Sequence, residues 1–392
     1  MPDQSTNIHQ PLSASSPVRV TPDEKPAPLK DAIGLCLSGG GYRAMVFHLG
    51  ALRRLNEAGY LGKLARISSV SGGSITAGVL ALHWNELGVT PDAPAPNFSI
   101  VVDEVRAMAG KTIDLGSILE GVFGPGNVSA KIQAAYDDEL FHGATLQSLP
   151  DSPRFVINAT NVQSGVLFRF SKPYMADWRV GKVNNPRVPL AAAVAASSAF
   201  PPVLSPAEID FHKYGCVFEP NSGKDLQRDP FTAKAVLSDG GVYDNLGLET
   251  VWKDYKTVLV SDGGGHLQAE ESPHRDWARH AYRVLDLIDN QVRSLRVRQL
   301  IDSYQNGERS GTYWGIRTNI ANYQVPALNC PFDKTVKIAQ IATRLKALSQ
   351  AEQECLINWG YAVTDAALRK HVIPNLPVPT SFPFARGCSL ET

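Results

Sequence analysis

The sequence predicts an α/β fold built on a mainly parallel central sheet. A unit of short apolar run, tight turn and helical pattern occurs twice in succession within residues 32–87, the grammar of a doubly wound sheet. Further apolar runs at 155–160, 235–238 and 257–261 supply buried strands, and the last two each lead into an Asp followed by glycines. The composition agrees: 43% of the 392 residues are apolar and 19% charged, which suits a folded chain with a sizeable core.

From the N-terminus, residues 1–30 are rich in Pro, Ser and Asp without an apolar run. They are expected to form a disordered tail, neither a signal peptide nor a membrane span. Residues 31–385 are expected to make one domain. Its first strand, 32–37, runs into a glycine cluster, after which Val46, Phe47, Leu49, Leu52 and Leu55 fall at helical spacing. A second strand at 64–70 meets a turn at 71–73 and a helix carrying Ala77, Val79, Leu80 and Leu82. Residues 91–152 hold Pro and Gly punctuation around helical stretches and are expected to form a cap or insertion over the sheet. Runs at 155–160 and 166–170 read as strands joined by a turn, and 190–199 as a small helix stopped by Pro201 and Pro202. The segment 270–385 is expected to be helical. Within it Trp277, Ala281, Val284, Ile288, Val292 and Leu295 form the apolar stripe of a long helix with arginines on its other faces.

Lys plus Arg equals Asp plus Glu at 38 each, so no overall field favours nucleic acid or an anionic membrane, and any such contact must come from a local patch. The five cysteines, Cys36, Cys216, Cys330, Cys355 and Cys388, are odd in number and without a CxxC pair, which argues for a reducing, cytoplasmic setting. Cys36, in the first strand, reads as a small core hydrophobe. The nine histidines show no ligand spacing, so no metal and no cofactor are expected.

Three turns carry candidate chemistry. Gly39, Gly40 and Gly41 lie between a strand and a helix, where backbone N–H groups converge on an anion. As GxGxxA the stretch also fits a dinucleotide site, but the acidic residue required about 20 positions on is missing: Arg66, Ser68 and Ser69 stand there. Ser71, at the second turn, occupies the place of a nucleophile elbow, with Ser69 where the GxSxG pattern has glycine. Taken alone, Ser71 is as readily a helix cap. Asp239 opens Asp239-Gly240-Gly241 at a strand end and is the informative base for Ser71, with Asp262 a rival of similar local chemistry.

Together GGGYRA, SVSGGS, AASSAFPPV (195–203) and SDGGVYDNLGLE resemble the patatin-like phospholipases, in order over residues 32–250. The resemblance implies a three-layer α/β/α domain with a Ser–Asp dyad and no catalytic histidine. It implies Ser71 as nucleophile, Asp239 as base and Gly39, Gly40 and Gly41 as oxyanion hole. Arg43, which closes the glycine motif, is expected at the substrate, with loop fixation as its alternative. The implied substrate is a phospholipid or other acyl ester lipid, met at a peripheral membrane contact, with an activating partner left open. Asp262 matches no catalytic motif and is expected to be structural. Three rivals stand beside this reading: a Ser71–Asp239–His266 triad, a nucleotide or phosphopeptide module using the glycine nest, and a silent binding protein on the same fold.

Overall fold

The computed structural model describes residues 28–113, 127–265 and 267–390. The expected tail at 1–30 therefore lies almost wholly outside the described residues, as do His266 and part of the expected cap.

Among the described residues the sheet has ten strands: β1 (Lys30–Leu37), β2 (Leu64–Val70), β3 (Arg154–Asn161), β4 (Val166–Phe170), β5 (Tyr174–Asp177), β6 (Gly181–Asn184), β7 (Ala207–Asp210), β8 (Lys234–Asp239), β9 (Tyr255–Asp262) and β10 (Ser310–Gly315). Its parallel body runs β10-β9-β1-β2-β3, and β4, β5 and β6 extend it antiparallel. Helices α1 (Gly41–Glu57) and α2 (Gly72–Leu82) follow β1 and β2 as the twofold strand-turn-helix pattern demands.

Strand alternation divides the core between two faces. Leu35 and Leu37 of β1 enter the larger cluster with Met45, Phe47 and Leu52 of α1, while Cys36 between them enters a smaller cluster with Leu246, Val251, Val258 and Leu300. Cys36 is thus a core hydrophobe. On the larger face the C-terminal helix Gln350–His371 lies against α1 at backbone contact distance. A Cβ on Gly50 would fall 2.1 Å from the Ile357 carbonyl oxygen, and one on Gly360 2.1 Å from that of Phe47, so glycine is required at both crossings. Asp365 on this helix binds Arg54 at 2.8 Å and Arg369 at 2.7 Å, both pairs buried.

The described part of the expected cap joins the same layer: the helix Ser99–Ala109 packs Val101, Val105 and Met108 against α1 and α2. Folding also gathers two cysteines that are far apart in sequence, with Cys330 Sγ and Cys388 Sγ 2.8 Å apart. No described helix is long and apolar enough to cross a membrane.

The orientation of the long helix is the opposite of the usual amphipathic packing. The helix Trp277–Gln305 forms, but its apolar stripe does not face the core: Trp277, Val284, Ile288, Val292 and Leu295 are exposed, and Arg293 is among its buried residues.

Candidate active site

Register along β3 explains why two distant segments meet. The pairing of β2 with β3 ends at Val70 opposite Asn158. Strand β8 arrives antiparallel from the other direction, and its last residue, Asp239, sits opposite Ala159. Ser71 and Asp239 are each delivered to the same point of β3, the carboxyl edge of the parallel strands where loops of such sheets gather their ligands.

Ser71 occupies the turn itself, with φ 51° and ψ −123°, a conformation that costs a non-glycine residue on the order of 1–3 kcal/mol. Its side chain makes no cap bond to α2, so the helix-cap alternative does not describe it. The strain is held by neighbours. The Ser71 N–H donates to Ser197 Oγ at 3.0 Å, and Ser197 Oγ donates to the Asn158 carbonyl at 2.7 Å. Asn158 Nδ2 donates to the Ser69 carbonyl at 2.9 Å. Ser69 has a use for its hydroxyl where glycine would have none: it donates to the Val156 carbonyl at 3.4 Å and accepts from Ser74 at 3.0 Å. A Cβ on Gly72 would lie 2.0 Å from the Gly41 carbonyl oxygen, so the elbow and the glycine turn touch through their backbones.

Asp239 is buried. Its N–H donates to the Ala199 carbonyl at 2.9 Å, and its Oδ1 accepts from the Gly241 N–H at 2.7 Å. Oδ2 has no partner in good hydrogen-bond geometry, although the Ser71 hydroxyl stands close enough to favour the carboxylate. Burial dominates and pushes the pKa up to about 7; the Gly241 and Ser71 bonds oppose it, and the Asp289 charge adds to it. Asp262 lives in the opposite environment. Burial also acts against its ionisation, but Arg293 at 2.6 Å, the Tyr313 hydroxyl at 2.6 Å and Arg317 more than offset it, and its pKa lies below the ordinary carboxylate value. Two buried carboxylates thus differ: one is poised to exchange a proton near neutrality, the other is a fixed anion.

The glycine turn is selective about its donors. Gly39 N–H donates to the Asn245 carbonyl at 3.0 Å and Tyr42 N–H to that of Arg344 at 3.1 Å. Gly40 and Gly41, both at positive φ, are left as the N–H groups of the turn that no described backbone carbonyl takes up. Gly39 also permits a close approach, since a Cβ there would fall 3.1 Å from Ser71 Cβ. Beneath the turn His48 accepts from the Ser261 hydroxyl through Nδ1 (2.8 Å) and donates through Nε2 to the Ser38 carbonyl (2.9 Å). Burial lowers its pKa to about 4, so it stays neutral.

Arg43 departs from its expected place at the substrate. It is 3% exposed, and it donates through Nε to the Gly263 carbonyl at 3.2 Å and through Nη1 to the Ile341 carbonyl at 2.5 Å. Burial, then repulsion from Arg293, lowers its pKa to about 10, which keeps it charged. It ties the glycine turn to the loop after β9 and to the C-terminal region, and its Nη2 lies behind the turn, 3.2 Å from where a Gly40 Cβ would be.

The supporting residues Ser197, Asn158, Asn245, His48 and Arg344 were not singled out from sequence. Ser197, inside AASSAFPPV, and Asn245, inside SDGGVYDNLGLE, lay in motifs that could have flagged them. Two clefts of about 440 Å³, one beside Arg53 and Tyr361 and one beside Trp252 and Leu295, contain neither Ser71 nor Asp239.

The family model described as patatin-like phospholipase matches residues 35–252, more than half of the chain, and the chain belongs to that family. Among solved structures, the human GIVD cytosolic phospholipase A2 in complex with methyl γ-linolenyl fluorophosphonate is matched over 87% of this chain and 58% of its own, with 14% identity and a TM-score of 0.50. A second structure of the human enzyme is matched over 87% and 59%, with 12% identity and a TM-score of 0.50. VipD from Legionella pneumophila is matched over 86% and 66% at 14% identity, TM-score 0.36. The chain spans less than two thirds of the human protein's length, and the likeness is one of fold. No curated protein sequence matches the chain.

Proposed function

We propose that this chain is a serine lipid acyl hydrolase that cleaves fatty acyl esters of phospholipids through an acyl enzyme on Ser71, with Asp239 as its base. The observation that carries the proposal is the pairing of a strained serine elbow with a buried carboxylate whose pKa is raised to about 7. An ordinary carboxylate, with a pKa near 4, is a weak base for a serine; desolvation strengthens this one where it is needed.

In the first half-reaction Asp239 Oδ2 takes the Ser71 proton as Oγ attacks the ester carbonyl, and the oxyanion forms against the Gly40 and Gly41 N–H groups. The Arg43 charge behind that turn supports the developing anion without touching it. Asp239 then returns the proton to the departing lysolipid alkoxide, leaving acyl-Ser71. Water, deprotonated by Asp239, attacks the acyl enzyme, and fatty acid leaves with Ser71 restored.

The test is fatty acid release from phospholipid and turnover of a soluble p-nitrophenyl ester by wild type, Ser71→Ala, Asp239→Asn and His266→Ala. The dyad reading expects Ser71→Ala and Asp239→Asn to lose about a thousandfold or more in kcat and His266→Ala to stay near wild type. A dead His266→Ala establishes the triad instead, and a wild type inactive on both esters supports the binding-protein reading.

A further inference from the structure

In sequence the five cysteines offer no pairing; in the fold two of them meet. Cys330 Sγ and Cys388 Sγ lie 2.8 Å apart although 58 positions separate them, closer than the roughly 3.5–4.0 Å at which unbonded heavy atoms pack. Both are buried in the larger core cluster, 5% and 4% exposed. Cys388 is placed by the C-terminal helix Gln350–His371, where Asn358 Nδ2 donates to the Gly387 carbonyl at 2.8 Å and the Cys355 thiol to the Ser389 carbonyl at 3.1 Å. Cys330 is placed by the helix Phe332–Ala339, which begins two residues on and packs against the same C-terminal helix.

From Phe332–Ala339 the chain runs on as a strap, 340–349, past the glycine turn. There the Ile341 carbonyl accepts Arg43 Nη1 at 2.5 Å, and the Arg344 carbonyl accepts the Tyr42 N–H at 3.1 Å. The far end of the strap is fixed, because the Leu348 N–H donates to the Ala109 carbonyl at 2.8 Å and Ser349 caps the C-terminal helix. Its near end meets the C-terminal segment at Cys330. That segment, 373–390, forms no helix or strand, so it opens more easily than the body of the fold and uncovers Cys388 without unfolding the sheet.

We propose that Cys330 and Cys388 are a disulfide site, closed by exchange with a low-molecular-weight disulfide, and that the bond clasps the strap and so holds Ile341 and Arg344 on the glycine turn. One protein thiolate attacks a sulfur of the small disulfide, forms a mixed disulfide and expels a small thiolate. The other protein thiol gives up its proton, attacks the protein sulfur of the mixed bond and expels the second small thiolate. Two protein thiols and one small disulfide become one protein disulfide and two small thiols. In the docked segment the Cys330 thiol and burial both push the Cys388 pKa up, so exchange waits on local opening and the closed bond is shielded from reductant. Cys355, the third thiol of the group, is engaged with the Ser389 carbonyl, which leaves the other two to pair. The clasp is independent of the hydrolase chemistry.

The experiment compares the full chain reduced by a dithiol with the same protein after incubation with oxidised glutathione. Peptide mapping by mass should find one cross-linked pair, Cys330 with Cys388. The oxidised protein should melt about 5 °C higher than the reduced one, because the bond restricts the unfolded chain. Its Tyr42 amide hydrogen, held by the strap, should exchange about tenfold more slowly. Cys388→Ala, which cannot form the bond, should show neither change under the same treatment, and the comparison of the two wild-type forms does not depend on that variant folding. Absence of the cross-link, a cross-link through Cys355, or a Cys330–Cys388 bond that leaves either the melting temperature or the Tyr42 exchange rate unchanged overturns the proposal.

Discussion

In the proposed reaction the chemistry at Ser71 turns on one carboxylate, and its titration has two measurable consequences with opposite signs. Only ionised Asp239 can accept a proton, so kcat/KM on a soluble ester should rise with pH through about 7 and level off above it. Stability should move the other way. The folded pKa lies above the unfolded value near 4, so the contribution of Asp239 is fully present below about pH 4 and is lost as pH rises through about 7. Asp239→Asn should therefore melt higher than wild type at pH 8 and lose that advantage at pH 4, the difference being on the order of a few kcal/mol; an equal melting shift at both pH values would show that desolvation does not set the pKa. Ser71 and Asp239 were legible in the sequence through the ordered motifs of the patatin-like resemblance, because local chemistry alone left Ser71 a helix cap and Asp262 a rival at another glycine-flanked strand end. The hydrogen bonds that position them were not legible. Ser197 holds the Ser71 N–H from 126 positions away, and Asn245 removes Gly39 from the set of free donors through a backbone carbonyl, an interaction no side-chain pattern records.

Among the elements, β8 and the long helix define the difference between what periodicity reveals and what it leaves open. The run at 235–238 announced a buried strand, but not that it would enter antiparallel and end opposite Ala159, in line with the elbow after β2. The stripe from Trp277 to Leu295 announced a long helix, yet periodicity fixes only that one face is apolar; which face the body takes was decided by the buried pair of Arg293 and Asp262. That orientation puts Asp289 close enough to Asp239 for its negative charge to raise the pKa of the base. Asp289→Asn should accordingly move the acid limb of the kcat/KM profile to lower pH while leaving the plateau rate near wild type. A limb that stays in place would mean that the long helix does not tune the base.

Across the whole molecule, the family match ends at residue 252, yet the site depends on chain beyond it. Arg344 accepts the Tyr42 N–H, and its backbone lies 2.9 Å from where a Gly41 Cβ would be. The Ile341 carbonyl receives Arg43, and the C-terminal helix closes on α1 through Gly50 and Gly360. These contacts were invisible in sequence because each ends on a backbone group of a segment some 300 positions away. The glycine turn is therefore shaped from both ends of the chain, while the proposed dyad follows β2 and ends β8. Covalent trapping examines the dyad itself. Protein incubated with an acyl-chain fluorophosphonate, digested and mapped by mass, should carry a single adduct on the peptide containing Ser71, formed faster as pH rises through about 7 and strongly slowed by Asp239→Asn. An adduct on another residue, or labelling of Ser71 at an unchanged rate in Asp239→Asn, would contradict a Ser71 nucleophile activated by Asp239.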